Sequence, residues 1–130
     1  MEINLLKHST YNVEQIRKNQ EFFRSLLGQI ESTYQIFNKS ERSSSNIVNV
    51  AFAPTQSRIH NVFMEMKENG VLKMTFRSSK KELETLKDKY EYFEYSLDSS
   101  ITMKNITHEN YKEHLPNIVK CIEWCAYSFK

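Results

Sequence analysis

The sequence predicts an α+β domain in which an antiparallel sheet of about four or five strands is covered on one face by a long N-terminal helix and a C-terminal helix. Three observations predict it. Residues 62–77 alternate apolar and polar around one turn glycine, an apolar stripe recurs in steps of three and four from Val13 to Phe37, and a second stripe runs from Tyr111 to Phe129. At 130 residues the chain is long enough to bury one core, so 1–130 is expected to be a single domain. Its parts are the long helix in 1–38, the sheet with one short helix in 47–106, and the last helix in 107–130.

Asn12 with Gln15 makes a capping-box pattern at the start of the first helix. Val13, Ile16, Gln20, Phe23, Leu27, Ile30, Tyr34 and Phe37 then follow one face, and Phe22, Leu26 and Ile36 widen it. Gln20 interrupts this stripe. Two copies of an amide can satisfy each other across a two-fold axis, so a homodimer through this helix is expected.

The serine-rich stretch 38–46 reads as a polar loop, and Ile47 to Phe52 as a strand ended by Pro54. The hairpin that follows can be read to the residue. A two-residue Asn69-Gly70 loop would set Met66 against Lys73, whereas a three-residue loop Glu68-Asn69-Gly70 pairs Met66 with Leu72, Met64 with Met74 and Val62 with Phe76. The second register makes one face wholly apolar and leaves Lys67, Glu65/Lys73, Phe63/Thr75 and Asn61/Arg77 on the other. It requires Gly70 in the left-handed conformation.

Ser79-Lys80-Lys81-Glu82 is a second capping box, leading a short helix with Leu83, Leu86 and Tyr90 on one side. Two further strands are expected over 92–97 and 101–106, separated by the turn Asp98-Ser99-Ser100. Thr107 caps the last helix, whose buried stripe is Tyr111, Leu115, Ile118, Ile122, Cys125 and Phe129; Pro116 lies inside it.

Composition narrows function mainly by exclusion. The 18 Lys and Arg against 16 Asp and Glu leave a net charge of +2, too little for nucleic-acid coating by overall charge, so any basic site must be local. No secretory signal and no membrane-length apolar run are present, so a cytoplasmic protein without membrane contact is expected. The two glycines, Gly28 and Gly70, build no phosphate-cradling loop or nucleophile elbow. Cys121 and Cys125, one helical turn apart, read as small core side chains rather than metal ligands. No cofactor, no metal and no catalytic residue is expected.

The candidate site is electrostatic. Arg58 and His60 approach the hairpin end that carries Arg77, and Ser79, Lys80 and Lys81 follow at a helix start. Lysines there oppose the helix dipole unless an anion lies close, so this rim suits a phosphate-bearing ligand, nucleic acid or nucleotide. The resulting expectation is a non-enzymatic binding module. The alternative is a protein–protein module or phage-type inhibitor of a host protein using the first helix or the aromatic strand around Tyr92 and Phe93, and the third reading is a metal-dependent nuclease at Glu65 and Lys67.

From about His60 onward, the hairpin Phe63-Met64-Glu65-Met66-Lys67 through Met74-Thr75-Phe76-Arg77, then Ile101-Thr102-Met103 and Leu115-Pro116-Asn117-Ile118, carry a further signal. In these patterns the chain resembles a small uncharacterised α+β domain found alone or joined to restriction-endonuclease-like and "predicted transport" bacterial proteins. The resemblance implies an association with DNA modification or phage defence. It brings no functional residue with it.

Overall fold

A computed structural model describes residues 13–43, 47–54, 60–79, 84–94 and 98–128. The elements are α1 (Val13–Thr33), β1 (Phe37–Ser43), β2 (Ile47–Ala53), β3 (Val62–Lys67), β4 (Leu72–Ser78), α2 (Glu84–Lys87), β5 (Glu91–Glu94), β6 (Ser99–Ile106) and α3 (Tyr111–Ser128). The strands form one six-stranded sheet in the order β1-β2-β3-β4-β6-β5, antiparallel throughout. The α+β class is therefore as read, with more strands than the four or five expected.

The additional strand is β1, which occupies most of the stretch read as a loop. Its inward-reaching side chains make ion pairs instead of joining the core: Glu41 pairs with Arg24 of α1, and Lys39 with Glu31 at 3.6 Å. A strand whose inner side meets charges shows no apolar alternation. Asn38 has φ of 54° and marks a register shift against β2 between Phe37 and Ser40, an irregularity that Asn tolerates better than most side chains.

The helix before it is shorter than its stripe. Ser32 Oγ and Thr33 Oγ1 both donate to the Gln29 carbonyl, at 2.9 and 3.1 Å, and α1 ends at Thr33. Hydroxyls that engage the last turn in this way favour termination. Tyr34 and Phe37 thus leave the helix, and the Tyr34 hydroxyl reaches Glu123 Oε1 of α3 at 3.2 Å. Burial and the Glu123 carboxylate raise its pKa above the usual value.

The hairpin has the three-residue loop. Met66 pairs with Leu72, Met64 with Met74 and Val62 with Phe76, while Gly70 has φ of 80° and donates from its amide to the Lys67 carbonyl at 3.0 Å. Met64, Met66, Leu72, Met74 and Phe76 are buried with Phe22, Phe23, Leu26, Leu27 and Ile30 of α1, Leu86 of α2 and Ile118, Cys121, Ile122, Trp124 and Cys125 of α3 in one cluster. Of the stripe of α1, Phe23, Leu27 and Ile30 are covered within the chain.

Two later boundaries also move. The strand read over 92–97 is Glu91–Glu94, with 95–97 outside the described residues, and the strand read from Ile101 begins at Ser99. Ser99 and Ser100 pair with Ser78 and Arg77 of β4, so only Asp98 of the expected turn stays outside a strand. The second capping box falls largely on 80–83, outside the described residues, as do Asn12, Phe129 and the tip 44–46.

The start and end of α3 show how polar groups fix its position. Asn110 donates from its backbone amide to Thr107 Oγ1 at 3.3 Å, and Thr107 donates from its own to Asn110 Oδ1 at 2.7 Å, a reciprocal cap with Asn in place of Glu. At the other end, Ser78 Oγ donates to the Trp124 carbonyl at 3.2 Å and Asn61 Nδ2 to the Cys125 carbonyl at 3.4 Å. Asn61 is wholly buried rather than on the polar face where alternation placed it, because its amide answers a helix-end carbonyl.

Both cysteines are buried thiols in this contact, with no disulfide between them. Burial pushes the Cys121 thiol from 9.0 up to about 12; burial, then the neighbouring Cys121, pushes Cys125 well up. The unfolded chain therefore releases thiol protons at lower pH than the native one. Their stabilising contribution is complete below the ordinary thiol pKa and is lost as pH climbs from there toward about 12. Labelling by a thiol reagent at pH 8 is expected to follow global unfolding for both residues, with equal sensitivity to urea; rapid labelling of the native protein would contradict their burial.

Candidate ligand site on the outer sheet face

Strand register assembles the outer face in rows. Ser40, Ala51, Phe63, Thr75, Thr102 and Glu91 stand abreast across all six strands. One pleat repeat further, about 7 Å along the strands, Arg42, Asn49, Glu65 and Lys73 form a second row. On the opposite side of the central row stand Arg77, Ser100 and Phe93.

A shallow concavity of about 460 Å³ lies over the first two rows and reaches His60. Its floor is the half-buried Phe63 beside the small Ala51 and the hydroxyls of Ser40 and Thr75; Thr75 Oγ1 lies 3.3 Å from Thr102 Oγ1. Its rim carries Arg42 and Lys73. A pocket of this size accommodates a ligand of several hundred Å³, with an aromatic platform and a few convergent polar groups. The Lys73 ammonium lies 3.7 Å from Glu65 Oε1, whereas Arg42 makes no ion pair among the described residues.

His60 and Arg77 are brought to the same end of the sheet, each engaged. His60 Nε2 lies 2.6 Å from the Asn38 carbonyl, and since a carbonyl only accepts, this nitrogen carries the proton. The β1 irregularity at Asn38 presents that carbonyl. Arg77 Nη2 donates to Asp98 Oδ2 at 2.7 Å, with the Arg77 side chain 47% and the Asp98 side chain 22% exposed. Ser79 is exposed just beyond β4. Arg58, Lys80 and Lys81 lie outside the described residues.

Asp98, Arg42 and Asn49 are the members that sequence reading missed. Asp98 becomes Arg77's partner through β4–β6 pairing, and Arg42 joins Asn49 only because the supposed loop is a strand. Glu65, the residue of the nuclease reading, faces Lys73 across the hairpin, and no group of three His, Cys, Asp or Glu that could hold a metal occurs among the described residues.

A larger groove of about 870 Å³ runs between α1 and the start of α3. There Glu14, Glu21 and Glu109 outnumber Lys18, and Phe22 packs against Tyr111 at 5.2 Å and His108 at 6.0 Å between ring centroids. Its carboxylates disfavour an anion. No described helix is long and apolar enough to cross a membrane. Comparison with protein-family models, curated proteins and solved structures finds no match to this chain.

Proposed function

We propose that the protein is a non-enzymatic binding module that holds a phosphate-bearing ligand, nucleic acid or nucleotide, on the outer face of its sheet. In this reading α1 and α3 cover the inner face and leave the outer one as the working surface. The observation that supports it best is the concavity that sets Arg42, Lys73 and His60 around Phe63. Cations at its rim suit phosphate oxygens, and the half-buried Phe63 ring suits a base. Of the rim read from the sequence, Arg77 and Ser79 border the same sheet end, and Arg77 contributes little because Asp98 already answers it.

Binding of labelled single-stranded DNA, RNA and nucleoside phosphates at low salt tests the proposal. The double variant Arg42→Ala, Lys73→Ala is expected to bind at least about tenfold more weakly while losing no more than about 1 kcal/mol of folding stability, the most that an exposed ion pair contributes. Arg77→Ala with Lys80→Ala is expected to cost less. Absence of binding to every one of these ligands would refute the proposal, and loss confined to the Arg77 and Lys80 pair would move the site to the rim.

A further inference from the structure

The charges of the outer face carry the assignment further. Lys73, Arg77 and Lys104 are matched by Glu65 at 3.7 Å, Asp98 at 2.7 Å and Glu91 at 2.7 Å. Within the lining of the concavity Arg42 is the Lys or Arg side chain without a matching carboxylate among the described residues, and Lys67, also without one, lies outside that lining at the hairpin end of β3. A polymer backbone is held by neutralising several phosphates at once, and the described lining of the concavity offers no such series. One phosphate group is what its free charge can answer.

The rest of the concavity supplies the other parts of a nucleotide. Arg42 stands in its row beside Asn49, a guanidinium and an amide that can both donate to phosphate oxygens. Glu65 follows in the same row, one strand further toward Lys73, and a carboxylate there accepts from two vicinal hydroxyls. A carboxylate beside an anion-binding site would be a liability for a bare phosphate; it is useful where the ligand presents donors. Phe63 adjoins Glu65 in the next row, where Ala51 leaves room above the sheet and Ser40 and Thr75 offer hydroxyls to the edge of a ring.

We propose that the ligand is a ribonucleoside monophosphate, its phosphate at Arg42 and Asn49, its ribose diol at Glu65 and its base on Phe63. This rests on the phosphate-binding reading above. The assignment separates a single nucleotide from a nucleic-acid strand, which shares the same chemistry.

The test is a chemical-shift titration of the ¹⁵N-labelled protein with the four ribonucleoside 5′-monophosphates, the 2′,3′-dideoxy form of the tightest, inorganic phosphate and a single-stranded deoxythymidine oligomer. The ribonucleotide is expected to bind at least about tenfold more tightly than its dideoxy form, and Glu65→Gln is expected to remove that preference while retaining the fold. Equal binding of the two forms, both weakened by Arg42→Ala, would overturn the diol assignment and leave the phosphate site standing. Tighter binding of the oligomer would replace the nucleotide by a strand. If none of the probes binds, both this inference and the reading beneath it fall.

Discussion

Phe76→Ala is expected to lower the free energy of unfolding by about 3–5 kcal/mol, the range for emptying a buried aromatic site. Phe76 is fully buried, pairs with Val62 and Ile101, and sits near the middle of β4. Its sequence neighbour provides the control. Thr75 faces outward against Phe63 and Thr102, so Thr75→Ala removes a cross-strand contact and is expected to cost only about 0.2–1 kcal/mol. Urea denaturation of the two variants, with the slope checked for constancy, reads the difference directly. Comparable losses would mean that the faces of β4 are wrongly assigned.

Gly70→Ala carries the other large effect. At φ of 80° an alanine is strained by about 1–3 kcal/mol, and its Cβ would stand 2.5 Å from Asn19 Oδ1. Asn19 can turn aside, but its Nδ2 then gives up the 3.0 Å bond to the Glu68 carbonyl that ties α1 to the hairpin loop. Strain at Gly70 is therefore expected to dominate. Asn19→Ala alone should cost about 0.5–1.5 kcal/mol, and combining it with Gly70→Ala should recover only the part due to the clash. Full recovery in the double variant would show that the backbone at Gly70 is not strained.

The hairpin was legible because the side-chain period of a strand is two and only one of two registers buries every apolar residue together. The core stripe of α1 and the Thr107 cap were legible for similarly local reasons. What escaped depended on partners far away in sequence. Lys39 and Glu41 look like loop residues until Glu31 and Arg24 stand beside them, and Asn61 looks like a surface amide until the Cys125 carbonyl ends a helix against it. The candidate site divides in the same way. His60 was visible as part of a basic end, but Arg42 and Asn49 become neighbours only through a strand that composition hid, and Arg77 lost its free charge to Asp98 through a pairing of β4 with β6 that includes a register shift.

The irregularity at Asn38 has a consequence for behaviour in concentrated solution. The last strand on each side of an open sheet exposes unpaired amides and carbonyls that can template the addition of another chain. Here one border is kinked at Asn38 and followed by Lys39, Glu41 and Arg42, and the other is the four-residue β5, flanked by Glu91 and Glu94. An incoming strand would have to follow a bend and bury charges at one border, and would find only a short acidic segment at the other. The borders of the six-stranded sheet thus disfavour the strand addition from which fibrils grow.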